Sequence, residues 1–273
     1  MSASPSPIRD LTFLKLGGSL ITEKSRPYTP RPDVLERLAG EIASARASRP
    51  ERLILLGHGS GSFGHVPAEK YGTREGVRGR EAWHGFVEVW REAARLNRIV
   101  MDALEVAGLP AVSFPPSAFL VASNRKVDHW DPGPIQSALH AGLLPVVFGD
   151  VVFDRQLGGT IFSTEDLFAY LAPILRPARI LLAGIEPGVW REYPDRSDVY
   201  PEITASIGAE LLAAVGGSAA TDVTGGMASK VIQSLEWVAG LPGLEVLIFS
   251  GEEPGLVERA LGGGQVGTLI RTG

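Results

Sequence analysis

The chain has 273 residues, 44% of them hydrophobic and 21% charged, the balance of a soluble globular protein. A net charge of -5 argues against a nucleic-acid surface, so any bound anion has to be held locally. There is no cysteine, which excludes disulfides and thiolate metal sites. The length suits one α/β domain with a deep core or two fused lobes.

The opening Met1-Ser2-Ala3-Ser4-Pro5-Ser6-Pro7 lacks the basic and apolar regions of a signal peptide, and no segment is apolar enough to span a bilayer. A cytoplasmic enzyme is expected, with residues 1–10 as a disordered tail and residues 11–273 as one domain. Residues 11–16 read as a buried strand that runs into a tight turn, Gly17-Gly18-Ser19. Lys15 near the strand's end is costly unless its head reaches an anion or solvent. The lysines are few (Lys15, Lys24, Lys70, Lys126 and Lys230), and all other basic residues are arginines. Lysine, a compact charge on a flexible stem, suits a moving phosphoryl group.

Residues 33–47 repeat apolar positions at helical spacing (Val34, Leu38, Ile42, Ala45), with Asp33 as the expected N-cap after Pro32. The helix crosses back to Leu53-Ile54-Leu55-Leu56, a strand that stops in Gly57-His58-Gly59-Ser60-Gly61-Ser62-Phe63-Gly64-His65. A loop with glycine at alternate positions can turn its N–H groups onto an anion, and His65 at its far edge adds a charge-assisted hydrogen bond. Two such loops at one sheet edge place a ligand outside the carboxyl ends of the strands.

Residues 71–80 read as a mobile connection. Residues 81–107 form an amphipathic helix, and Trp83 and Phe86 in its first turns are expected to wall an apolar pocket beside the phosphate loop. A short strand at 111–114, an exposed hairpin or loop at 123–132 and a short helix at 135–141 follow. Residues 143–153 give strand, Gly149-Asp150, and strand again, before the turn Gly158-Gly159. Asp150 falls within reach of the site, with a turn-stabilising role as the alternative. Ser163-Thr164-Glu165-Asp166 opens a helix to about residue 175, capped by Ser163 or Thr164, and one of its two acids is a candidate catalytic group although both also suit the helix dipole.

The strand at 179–184 is followed by an irregular turn at Glu186-Pro187, and residues 195–220 are polar, small and irregular. In Thr221-Asp222-Val223-Thr224-Gly225-Gly226-Met227-Ala228-Ser229-Lys230 a glycine pair starts a helix with a lysine one turn inside, a further anion-facing helix start. Late strands at 244–250 and 267–270 flank a short helix at 255–261. Strands alternating with helices predict α/β layers.

Several loops at one sheet edge, lysines, a histidine and acids suit phosphoryl transfer, which needs in-line positioning and positive charge more than a protein nucleophile. Lys15 and Lys230 would face the transferred group, and the N–H groups of Gly17 and Gly18 would hold its oxygens. Neither a Walker loop nor the protein-kinase motif set is present.

Lys15-Leu16-Gly17-Gly18-Ser19 with Lys24 beyond it, residues 57–65, Gly149-Asp150, Asp222-Val223-Thr224-Gly225-Gly226-Met227 with Lys230, and Gly267-Thr268-Leu269-Ile270 resemble, in this order, the amino acid kinase family. Within it the resemblance is to the isopentenyl phosphate kinases. It implies a three-layer αβα sandwich with a mainly parallel central sheet, commonly a homodimer, with an acceptor lobe at about 11–175 and a nucleotide lobe at about 176–273. It implies phosphorylation of isopentenyl phosphate by ATP, with Mg2+ held mainly by the nucleotide phosphates and no protein metal ligand, nucleic acid or membrane as partner. His65 would grip the acceptor's monophosphate, and Lys15, Lys24 and Lys230 would neutralise phosphates along the transfer line. The acceptor would lie against Ser60, Gly61, Gly64, Gly149 and Asp150, with its five-carbon tail on Trp83 and Phe86. The nucleotide would lie against Lys15, Gly17, Gly18, Ser19, Gly61, Gly184, Gly226 and Lys230.

The chain departs from the family pattern twice. Ser163-Thr164-Glu165-Asp166 replaces the usual Ser-Gly-Asp-Asp, so the lysine-organising acid is Glu165 or Asp166. Residues 183–190 replace the commoner Thr-Asp-Val-x-Gly-Val form, which leaves the base preference open. The rivals are a same-fold kinase acting on a phosphonate such as fosfomycin or on an acyl or nucleotide acceptor, and a non-catalytic nucleotide-binding protein.

Overall fold

The computed structural model describes residues 10–192, 196–208 and 225–273. Strands β1 (Leu11–Leu16), β2 (Leu53–His58), β3 (Ala111–Ser113), β6 (Leu144–Phe148), β9 (Arg179–Gly184), β10 (Glu202–Ile203), β11 (Glu245–Ser250) and β12 (Thr268–Ile270) form an eight-stranded sheet in the order β10-β12-β11-β9-β1-β2-β6-β3. Every pairing is parallel except β11 with β12. The chain builds from β1 to one side through β2, then returns to β9 on the other. Strand order reverses at β1, and the crevice outside its carboxyl end is where such sheets take ligands.

The alternation of side chains splits each central strand between two cores. Leu14, Leu16, Leu56 and Leu181 face one side, under α2 (Pro32–Ser48), α4 (Gly79–Val106) and α9 (Leu256–Leu261). Phe13, Leu55, Ile180 and Leu182 face the other, under α6 (Gly133–His140), α7 (Thr164–Leu175) and α8 (Gly225–Gly240). The result is the three-layer αβα sandwich. A second sheet, β4 (Val121–Ser123), β5 (Lys126–His129), β7 (Asp150–Asp154) and β8 (Gly158–Phe162), runs in the order β5-β4-β7-β8. Gly149 carries the chain from one sheet to the other. A small separate cluster of Val77, Phe86, Val89 and Val151 packs α4 onto this second sheet.

Several local expectations change. Residues 57–65 are not one long loop: β2 continues through His58, the Gly59 amide donates to the Leu16 carbonyl at 2.9 Å, and α3 (Gly61–Tyr71) starts two residues later. Residues 71–80, expected as a mobile connection, hold local structure. Gly72, with φ of 60°, is the left-handed stop of α3, a single 3-10 turn follows at Thr73–Glu75, and Gly79, with φ of 77°, opens α4. Thr73 and Val77 are buried, and the Val77 amide donates to the Leu157 carbonyl at 2.8 Å. Asp33 is not the N-cap of α2, because Pro32 takes the first helical position and leaves Arg31 as cap. Residues 123–132 do hold a hairpin, β4 to β5, turned at Asn124 and Arg125 with φ of 50° and 61°. The polar stretch after residue 195 includes β10, which its composition did not signal. The expected tail at residues 1–9 and the motif residues Asp222, Val223 and Thr224 lie outside the described residues.

Candidate active site

The glycines at the crevice are there first because two backbones touch. A Cβ on Gly18 would come within 2.6 Å of the Gly61 Cα, and one on Gly59 within 2.7 Å of the Gly18 nitrogen. Thr22, at the end of α1 (Gly18–Ile21), locks the pair by donating to the Gly18 carbonyl at 2.8 Å and accepting from the Ser62 amide at 3.0 Å. Gly17 differs from expectation: its N–H is spent on the Ala183 carbonyl at 2.8 Å and is not available to an anion. The amides that open α3, at Ser60 and Gly61, have no intrahelical acceptor and carry the positive end of the helix dipole.

The end of β2 also positions α7. The His58 carbonyl accepts from the Thr164 hydroxyl at 2.6 Å and from the Gly149 amide at 3.2 Å. Gly57 lets the helix close on the strand, since a Cβ there would meet the Phe168 ring at 2.8 Å. The α7 start is a capping box: Ser163 Oγ accepts from the Asp166 amide at 3.1 Å, and Asp166 Oδ2 accepts from the Ser163 amide at 2.8 Å. Asp166 is thereby committed to the helix end. Glu165, the next residue back, instead forms an ion pair with Lys15.

These pairings set the charge states. Burial alone would push the Glu165 carboxyl up, but the charge and hydrogen bond of Lys15, helped by Lys230, hold it below its ordinary value. Lys230 is lowered by burial and by the charge of Lys15, against the pull of Glu165 and Glu186. His65 is lowered by burial, then by Lys15 and Arg74, so its imidazole is neutral at pH 7. Burial pushes Asp150 up to about 6, against hydrogen bonds from Ser117 and the Val151 amide. His58 is fully buried and held down to about 4. Its neutral ring donates from Nδ1 to the Gly59 carbonyl at 3.1 Å, accepts at Nε2 from Asn97 Nδ2 at 3.0 Å, and stacks on Phe148.

All of this opens on one cavity of about 1300 Å³. It brings together Lys15, Gly17, Gly18, Ser19 and Lys24 from the first loop, and Ser60, Gly61, Gly64 and His65 from the second. Gly149, Asp150, Glu165, Asp166, Gly184, Gly226 and Lys230 complete it. Lys24 is exposed at the rim. Trp83 and Phe86 are not on its surface: the apolar lining there is Ala68, Val89, Ile161 and Phe162. Phe86 is buried behind Val89, and Trp83 packs edge-on against Phe86 at 5.2 Å on the outside. The helical face seen in the sequence is real, but its inward residue at the cavity lies one turn further along α4. Arg74 also lines the cavity, and the only sequence signal for it was the bracket of Gly72 and Gly76. Among the described residues no group of three His, Asp or Glu side chains could hold a metal ion, and no helix is long and apolar enough to cross a membrane.

Lys15 paired with Glu165, and Lys230 within the field of the same carboxylate, at the point where a parallel sheet reverses its strand order, are the apparatus of a small-molecule kinase. Residues 10–250 match the profile of the amino acid kinase family, and the chain belongs to that family. The isopentenyl phosphate kinase of Methanothermobacter thermautotrophicus is 36% identical over 271 residues, covering 95% of this chain and 98% of that one. The isopentenyl phosphate kinase of Haloferax volcanii is 38% identical over 257 residues, covering 91% and 98%. A crystal structure of an isopentenyl phosphate kinase superimposes with a TM-score of 0.79 at 34% identity, over 95% of this chain and 99% of that one.

Proposed function

We infer that the protein phosphorylates isopentenyl phosphate to isopentenyl diphosphate, with ATP as the phosphoryl donor. The observation that carries this reading is the shape of the cavity between its charged and apolar parts. Lys15, Glu165 and Lys230 share one cavity with an anion-holding helix start at Ser60 and Gly61 and with an apolar surface of Ala68, Val89 and Ile161. A polar acyl or nucleotide acceptor has no use for that surface.

An acceptor phosphate oxygen is already anionic at neutral pH, so no general base is required. That oxygen attacks the γ-phosphorus of ATP while the bond from the γ-phosphorus to the bridging oxygen breaks, and ADP leaves with the bond electrons. Lys15 and Lys230 neutralise charge on the moving phosphoryl oxygens, and Glu165 fixes where the two ammonium groups stand. His65 donates to the acceptor's phosphate, and the α3 amides hold its remaining oxygens. Gly184 and Gly226, without side chains and with open space before them, leave room in the cavity for the nucleotide. Both acids of the α7 start are engaged by Lys15 and Ser163, which fits a magnesium ion carried by the nucleotide phosphates. When bound, that ion neutralises phosphate charge.

The acceptor half corresponds to about residues 11–175 and the nucleotide half to about 176–273, two lobes of one continuous sheet. The protein is further proposed to be a cytoplasmic homodimer; the exposed face of Trp83, Val87 and Trp90 on α4 supports the pairing. Light scattering would measure the mass.

The direct test is purified protein with ATP and magnesium against isopentenyl phosphate, dimethylallyl phosphate, fosfomycin, acetylglutamate and UMP, with products read by phosphorus NMR. Turnover of isopentenyl phosphate is expected. Turnover of fosfomycin or UMP in its place would overturn the assignment.

A further inference from the structure

Given an alkyl monophosphate as acceptor, the charge balance at its end of the cavity is incomplete with the groups named so far. Such an ester carries about -1.5 to -2 at neutral pH. Lys15 is already paired with Glu165, Lys230 and the rim-exposed Lys24 are assigned to the transfer line, and His65 is neutral before ligand arrives. A phosphate withdrawn from water needs a cation of its own.

We propose that Arg74 is that cation, a binding residue that clamps the acceptor's phosphate together with His65. Its backbone is fixed. The Thr160 hydroxyl, fully buried, donates to the Arg74 carbonyl at 2.8 Å, and the neighbouring Thr73 is buried. The Arg74 side chain is 59% exposed and lines the same cavity as His65. It is a free arm on a rigid mount.

The guanidinium is also only loosely engaged. The carboxylate nearest to it, that of Asp166, is 4.0 Å away, beyond hydrogen-bond range, and its Oδ2 already accepts from Ser163 twice, at 2.8 and 2.7 Å. Among the described residues the guanidinium makes no hydrogen bond. A planar fork of donors matches two oxygens of one phosphate, which a lysine cannot do. Arg74 and His65 line the same cavity, and the charge of Arg74 opposes protonation of His65.

The test uses Arg74→Gln and Arg74→Lys in the full chain. The turn is held through the Arg74 carbonyl, so both variants keep it. In R74Q the KM for isopentenyl phosphate should rise about 10- to 100-fold, the cost of a lost hydrogen bond to a charged group. The KM for ATP should hold, and kcat should change far less than the acceptor KM. R74K should recover part of the loss, because it restores charge without the fork. A purely structural role would lower kcat and melting temperature and leave the two KM values moving together.

An unchanged acceptor KM in R74Q overturns the proposal and leaves the kinase assignment standing. If the wild type fails to phosphorylate isopentenyl phosphate, the assignment falls, and inorganic phosphate then reads Arg74 directly. Phosphate should raise the NMR-titrated pKa of His65 more in the wild type than in R74Q. Equal responses overturn the proposal.

Discussion

Glu165 meets Lys15 across 150 residues of chain, and that single ion pair joins the carboxyl end of β1 to the amino end of α7. Asp166, its neighbour, is turned the other way into the helix cap. Adjacent acids thus do different work, and substitution separates them. Glu165→Gln should lower kcat about 10- to 100-fold, from the loss of a charged hydrogen bond. Glu165 also raises the pKa of Lys230, so its removal should shift the alkaline limb of the rate profile to lower pH. Asp166→Ala should instead cost about 1 kcal/mol of stability, the worth of a helix cap, and disturb kcat less. A rate profile measured across alkaline pH, with urea unfolding of both variants, distinguishes the roles. An unmoved alkaline limb in E165Q would remove Glu165 from the organisation of the lysines.

His65→Ala should raise the acceptor KM by about 10- to 100-fold with ATP binding retained. The pKa of His65 lies below its ordinary 6.5 in the free site, and an arriving phosphate reverses the local charge and raises it. Binding therefore takes up a proton in the window from the depressed value upward, and affinity gains as pH falls into it. Calorimetry in buffers of different ionisation enthalpy should detect this uptake in the wild type and not in H65A.

Phe86 separates the apolar end of the cavity from a shallow outer groove lined by Phe86, Val87, Trp90 and Phe153. Phe86→Ala should let the tail pocket run through into that groove. Activity on geranyl phosphate relative to isopentenyl phosphate should rise, while stability falls by about 3 kcal/mol for the buried ring. Steady-state rates on both substrates and a denaturant titration check the two halves. A selectivity that stays fixed in a folded F86A protein would place the end of the pocket elsewhere.

Two buried groups oppose each other in mild acid. His58 titrates at about 4 when folded and near 6.5 when unfolded, so the unfolded chain takes the proton first and stability falls as pH drops through that window. Asp150 is raised to about 6 from 3.8, so the stability it confers below 3.8 is lost as pH rises to 6. Between the two the effects largely cancel. Asp150→Asn removes the second term, and its stability should fall by roughly 2 to 3 kcal/mol from pH 6 to pH 4, at about 1.4 kcal/mol per unit. Urea midpoints of wild type and D150N across that range test the sign as well as the size.

Much of the architecture was legible because its signals are local. The two-sided apolar strands at residues 11–16 and 179–184 alternate between cores within a few residues. The Ser163 to Asp166 cap spans a single turn, and glycines at 17, 18, 59 and 61 mark where chain must pass close to chain. The resemblance that named Lys15, His65 and Lys230 rests on such short motifs.

What the amino-acid order determined by itself was therefore the elements, their α/β alternation and the short list of groups able to handle phosphate. Only the folded sheet decided how those groups are used. It spent the Gly17 amide on Ala183, gave Lys15 to Glu165 and the helix cap to Asp166, put Val89 where Phe86 was expected, and brought Arg74 to the cavity. Periodicity and capping act between residues a turn apart. Ion pairs and pocket walls join segments that are neighbours only because β9 and β2 lie on either side of β1, and no local pattern carries that information.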